Sequence, residues 1–207
     1  EFTASAYITT DRADNQITGF NPGAMKYASS FNFDKIVPKD TIAIVAPGNL
    51  DDMMKYSATY QTMGIDYIFD TGQSLPMWNG EDLIKCIKGS RILISNDYEL
   101  EMIVCKTGLD RKKLLQLTGT IITTLGELGS RVCTTDCETM IPAAKPGKVV
   151  DPTGAGDAYR AGLIKGLTHR RNIEQCAKMG SVIASFAIEC YGTQEYSFSL
   201  AEFEARL

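Results

Sequence analysis

The sequence predicts an α/β fold in which a mostly parallel sheet is covered by helices on both faces, with a small two-stranded flap ahead of it. Three observations carry this. Between residues 41 and 117 short apolar runs alternate with helical patterns, the rhythm of repeated βα units. An extended run at Val149 passes through a glycine-rich turn into another helical pattern. The opening residues instead alternate apolar and polar side chains, the period-two pattern of a hairpin.

Taken in order, TASAYITT and NQITGFN read as the two flap strands, joined by the turn-like stretch Asp11 to Asn15. Thr41 to Ala46, Tyr67 to Asp70 and Arg91 to Ser95 are short apolar runs of buried-strand type. Helices are expected over Asp51 to Met63, Glu81 to Lys88, Asp97 to Lys106 and Arg111 to Leu117. In the third, Leu100, Ile103 and Val104 stand at i, i+3 and i+4 and form one apolar stripe. GTIITT and SRVCTT are β-rich runs separated by the turn LGELG. Two more helices are expected, over Ala158 to Leu167 and Ile173 to Cys190.

Composition excludes several classes. With 44% apolar and 22% charged residues in 207, the chain has the make-up of one globular core. A net charge of −4 with scattered Lys and Arg leaves no basic footprint for nucleic acid. The apolar runs fall far short of the roughly 20 residues that span a membrane, so no membrane partner is expected. Six irregularly spaced cysteines with a single histidine, His169, do not make a zinc site. Buried, reduced thiols are expected, which favours a cytoplasmic location. His169 falls late in a helix and is given no chemical role.

The segment VVDPTGAGDAYRAGLIKGL carries the strongest chemical signal. Gly154 and Gly156 let the backbone approach an anion closely, and the helix N-terminus adds partial positive charge. Asp157 in that turn either caps the helix or accepts a proton from a hydroxyl that attacks a phosphoryl group. In ISNDYELEMI, Asn96 and Glu99 have the spacing of a capping box. TLGELGSRV, taken alone, is a turn with two glycines.

Together these strings, DPTGAGDA above all, with NxxE and TxGxxG before it, resemble the ribokinase-like (phosphofructokinase-B) kinases. The resemblance covers essentially the whole chain and implies a three-layer α/β/α, Rossmann-like fold. Residues 1–21 would be the flap or lid and 22–207 the nucleotide-binding core. It implies an ATP-dependent phosphotransferase with Asp157 as general base and Gly154, Ala155 and Gly156 in its anion hole. Asn96, Glu99, Thr124, Gly126, Gly129 and Thr153 match nucleotide-site positions. Glu99 would serve Mg2+ through water, and Asp151 and Thr153 match positions that bind a monovalent cation such as K+.

The tail GTQ, with TASAYITTD and GFNPGAM, resembles the bacterial adenosine-kinase-like branch. There flap aromatics stack on the acceptor purine, and Tyr7 and Phe20 match that sandwich with Gln16 facing the same pocket; ordinary packing of the flap on the core is the other reading. The expected acceptor is a hydroxymethyl group of an adenosine-like nucleoside. The alternatives are a ribose- or fructose-type sugar and a non-catalytic nucleotide-binding module. Flaps of this family often pair between subunits, so a homodimer through the lid is expected. The family also begins well before a residue matching Glu1. Its first strands and sugar-binding positions are therefore absent from this sequence, which is expected to be part of a longer protein.

Overall fold

The computed structural model describes residues 1–11 and 16–207, with the side chain of Gln16 not described. The expected hairpin is present: β1 (Ser5–Thr10) pairs antiparallel with β2 (Gln16–Asn21). The expected turn falls largely on residues 12–15, outside the described residues. A second sheet of six strands has the order β3 (Ile42–Val45), β4 (Asp66–Asp70), β5 (Ile92–Asn96), β6 (Thr120–Thr124), β7 (Ser130–Thr134), β8 (Glu138–Ile141). The first four run parallel, and β7 and β8 return antiparallel. The sheet is therefore mostly parallel, as the βα rhythm predicts.

Two apolar faces follow from strand parity, since successive side chains point to opposite sides. Tyr67, Phe69 and Leu93 meet α1 (Leu50–Met63), α2 (Gly80–Ile87), α3 (Asp97–Thr107) and α4 (Arg111–Thr118), with Met53, Leu83, Leu100 and Leu114 inside that layer. Ile68, Ile92, Ile94 and Ile122 meet α5 (Ala155–Thr168) and α6 (Ile173–Ala187) through Tyr159, Leu163 and Cys176. Helix, sheet and helix make three layers.

The seam between α5 and α6 is narrow because glycines line it. A Cβ at Gly162 would lie 2.5 Å from the Met179 carbonyl oxygen, and one at Gly180 would lie 2.8 Å from that of Tyr159. The helix α7 (Leu200–Arg206) begins at a capping box in which Ser199 and Glu202 satisfy each other's backbone N–H groups. Arg206 lies over the Phe186 ring at 3.6 Å and bonds the Glu189 carboxylate at 2.9 Å, and Glu189 accepts the Gly147 N–H. These contacts tie the tail to the segment leading into α5.

Several expectations need correction. Helix α5 starts at Ala155, three residues before the expected Ala158, and α6 ends at Ala187 instead of Cys190. The run at Val149 is irregular and not a strand; the Val150 N–H donates to the Ile188 carbonyl at 2.8 Å. Strand β8 and helix α7 were not expected. All six cysteines are free, but only Cys86 and Cys176 are buried, while Cys105 and Cys137 are exposed. His169 caps the C-terminal end of α5 at the surface, as expected.

Candidate active site

A cleft of about 420 Å³ opens at the C-terminal ends of the parallel strands, where α/β sheets commonly place their ligands. Each βα corner supplies part of its wall. Ala46 and Pro47 follow β3, Asp70, Gly72 and Gln73 end β4, Ser95, Asn96 and Glu99 lie at the β5–α3 corner, and Thr124 closes β6. Gly154, Gly156, Asp157 and Arg160 enter from the first turns of α5.

The glycine turn has the conformation that its sequence implies. Gly154 is the N-cap of α5 with φ 84°, a left-handed conformation that suits glycine, and a Cβ there would press on Thr193 at 3.1 Å. No side chain caps this helix, so Asp157 is not its cap. The Ala155 N–H is taken up by the Pro152 carbonyl at 3.2 Å, a correction to its place among the free anion-hole donors. Gly156 and Asp157 then lead the helix towards the cleft, where the macrodipole favours an anion. The Asp157 side chain is 80% exposed, and its Oδ1 accepts from Arg160 Nη1 at 3.1 Å.

Asn96 and Glu99 do form the capping box: Asn96 Oδ1 accepts the Glu99 N–H at 2.7 Å and Glu99 Oε2 accepts the Asn96 N–H at 2.8 Å. Both residues also line the cleft that Asp157 lines, so the capping role does not withdraw them from its wall. Thr124 also lines the wall, with its Oγ1 at 3.5 Å from the Ser95 carbonyl. Gly126 (φ 58°) and Gly129 (φ 93°) shape the following turn but are not in the cleft wall. At Gly129 a Cβ would collide with the Ile141 carbonyl oxygen at 2.0 Å, so close packing on β8 alone demands glycine there.

Asp151 lies just before the turn. Its carboxylate accepts the N–H groups of Thr153 at 2.9 Å and Gly192 at 3.1 Å, and these bonds, those from Thr153 foremost, hold its carboxyl below the usual range. It therefore joins the glycine turn to the tail. Among the described residues no group of three or more His, Cys, Asp or Glu could enclose a metal ion. The cleft wall does offer the carboxylates of Glu99 and Asp157 and the Asn96 amide, oxygen donors of the kind that could hold a magnesium ion through water.

The flap residues behave differently. In the β1–β2 register Tyr7 stands opposite Gly19 and Phe20 opposite Ala6. Directly opposed residues share a face and neighbours alternate, so the two rings project from opposite faces of the ribbon. Within one flap they cannot sandwich one base, a correction to the expected pairing. Both rings are exposed, at 71% and 54%, so they do not pack on the core either. Neither lines the cleft around Asp157.

Arg160 and Asp70 were missed by sequence reasoning. Arg160 Nε bonds Asp70 Oδ2, and Asp70 Oδ1 also accepts the Gly72 N–H at 2.9 Å. Burial pushes the Asp70 carboxyl up to about 6, against the pull of Arg160 and Gly72, with Glu99 adding to the rise. The string DAYR places Arg160 one turn after Asp157 and could have flagged it. Nothing local points to Asp70, which lies ninety positions away in sequence.

Comparison with known proteins accords with this geometry. A nucleoside kinase of Methanocaldococcus jannaschii is 34% identical over 195 residues, covering 94% of this chain and 63% of that protein. A nucleoside kinase of Methanothermobacter thermautotrophicus is 31% identical, again with 94% and 63% covered. The chain thus spans somewhat less than two thirds of the length of these curated relatives. The structure of Burkholderia thailandensis nucleoside kinase in complex with inosine superposes with a TM-score of 0.89 at 32% identity, over 99% of this chain and 67% of that one. The model for "pfkB family carbohydrate kinase" matches residues 1–199, and the chain belongs to that family.

Proposed function

We propose that this chain carries the nucleotide site and general base of an ATP-dependent small-molecule kinase, transferring a phosphoryl group to a hydroxymethyl group of a nucleoside. The observation that carries this reading is the meeting of Asp157, on an uncapped helix N-terminus, with Asn96 and Glu99 across one cleft. Support for a nucleoside acceptor comes from the nucleoside kinases that the chain resembles, one of which binds inosine.

Asp157 is the proton acceptor for the attacking hydroxyl, which becomes the new phosphate ester oxygen as the bond from the transferred phosphorus to the departing ADP oxygen breaks. The Gly156 and Asp157 N–H groups, with the α5 dipole, stabilise the charge on the transferred phosphoryl, and this electrostatic contribution is the larger one. Magnesium, when bound, would neutralise phosphate charge; Glu99 would hold it through water, and Asn96 would face the nucleotide beside it. Thr124, Gly126, Gly129 and Thr153 belong to the nucleotide side by resemblance, and Asp151 with Thr153 to a monovalent-cation site. Gln16 and one of the flap rings, Tyr7 or Phe20, would contact the acceptor. Residues 1–21 act as the lid on a core over 22–207, and a homodimer through the lid is part of the proposal.

The test is a phosphorylation assay with MgATP and adenosine, inosine, ribose and fructose, in K+ and in Na+. Nucleoside phosphorylation supports the reading. Turnover of sugars alone would favour a ribose- or fructose-type kinase, the second reading. ATP binding without turnover of any acceptor would make the chain a binding module.

A further inference from the structure

Three charged groups meet beside the glycine turn. Asp70 sits at the end of β4 with its side chain 2% exposed, Arg160 lies on α5 at 18%, and Asp157 faces the cleft at 80%. The guanidinium spans them, with Nε on Asp70 Oδ2 and Nη1 on Asp157 Oδ1. A guanidinium is a planar, rigid fork, so fixing Nε also fixes where Nη1 points. Asp70 is itself fixed by the Gly72 N–H, and Gly156 leaves room for the fork, since a Cβ there would lie 3.1 Å from Nη1.

We propose that Arg160 is a positioning residue, anchored on the buried Asp70 and holding the exposed Asp157 carboxylate in the orientation that receives the proton. An exposed aspartate samples several rotamers, and a base held in one of them meets the hydroxyl in reactive geometry more often. A carboxylate buried on the sheet costs free energy unless it is paired. The Asp70–Arg160 pair would satisfy that need by pinning helix to sheet alone; its extension to Asp157 is what the test addresses. The inference rests on the proposed kinase reading.

The test is steady-state kinetics on the native polypeptide carrying Arg160→Gln, Asp70→Asn, Asp157→Asn, or Arg160→Gln with Asp157→Asn. Arg160→Gln is expected to lower kcat by about tenfold to a hundredfold, with the KM for ATP changed by less than about threefold. In the Asp157→Asn background the same change should cost less than about twofold, because the carboxylate it positions is gone. Should Arg160→Gln alone fail to fold, Asp70→Asn with Arg160→Gln leaves no unpaired buried charge and should show the same loss of kcat. Losses that add in the double variant, or a raised KM for ATP with kcat preserved, would overturn the role of Arg160 while leaving the kinase reading in place. A wild type that transfers no phosphoryl group overturns both.

Discussion

Replacing Gly162 by alanine sets two opposing effects against each other at the seam between α5 and α6. Alanine is a better helix former than glycine by about 1 kcal/mol, which alone would stabilise α5. The added Cβ, however, would lie 2.5 Å from the Met179 carbonyl oxygen and 2.7 Å from the Gly180 Cα, both backbone atoms that no rotamer change can move. Carbon contacts settle near 3.5–4.0 Å, so the helices must separate by about 1 Å. Overpacking of this kind costs about 1–3 kcal/mol, which leaves a net loss of roughly 1 kcal/mol and a Tm lower by about 2–4 °C. Turnover should fall further than stability, because α5 carries Asp157 and Arg160 and a 1 Å displacement can cost about a hundredfold. Thermal unfolding and kcat on the same preparation provide the check. An unchanged or higher Tm with wild-type turnover would refute the idea that this seam sets the position of Asp157.

Asp157→Asn should leave the ATP Kd nearly unchanged and lower turnover by about 10² to 10⁴-fold; a variant that keeps more than about a tenth of the rate would remove Asp157 from the chemistry. Asp70 gives a pH dependence. Its folded value, raised to about 6 from 3.8, means the folded state binds more protons between those values, so its contribution to stability is present below about pH 4 and lost as pH rises to about 6. The difference is on the order of 1–3 kcal/mol, and wild type compared with Asp70→Asn in urea across this window should reveal it; identical slopes would contradict the raised value. Asp151→Ala removes the acceptor for the Thr153 and Gly192 N–H groups and should destabilise by about 1–3 kcal/mol, read as a lower urea midpoint. Thiol labelling of the native protein should modify Cys105 and Cys137 before Cys86 and Cys176, and the reverse order would contradict the packing of α2 and α6.

What was legible in the sequence was what is local. The βα rhythm, the glycine turn and the Asn96–Glu99 spacing are set by residues within a few positions of one another, and each occurs where its pattern predicts. The start of α5 was misplaced because the turn's own Gly154 is the N-cap, whereas glycines read as loop. Strand β8 was missed because ETMI is short and lies at the sheet edge, where alternation is weak. Helix α7 carried a readable Ser199–Glu202 signal that its seven residues made easy to pass over. The Arg160–Asp70 pair joins residues ninety positions apart, and only the assembled sheet brings them together. The faces of Tyr7 and Phe20 depend on hairpin register, and a shift of one residue in the pairing would bring the two rings to one face.

The clasp formed by Asp151, Glu189 and Arg206 bears on the order in which the contacts around the glycine turn form during synthesis. A nascent chain leaves the ribosome N-terminus first, so strands β3 to β8 and the start of α5 are available for folding before residues 189–206 have emerged. Until then Gly147 has no Glu189 to receive its N–H, and Asp151 has no Gly192 to hold. Stalled or truncated products ending before these residues would keep most of the sheet while leaving the turn that bears Asp157 unclasped. A ribosome-bound intermediate at that stage would thus present these strands while the turn that bears Asp157 still lacked its contacts with residues 189–206.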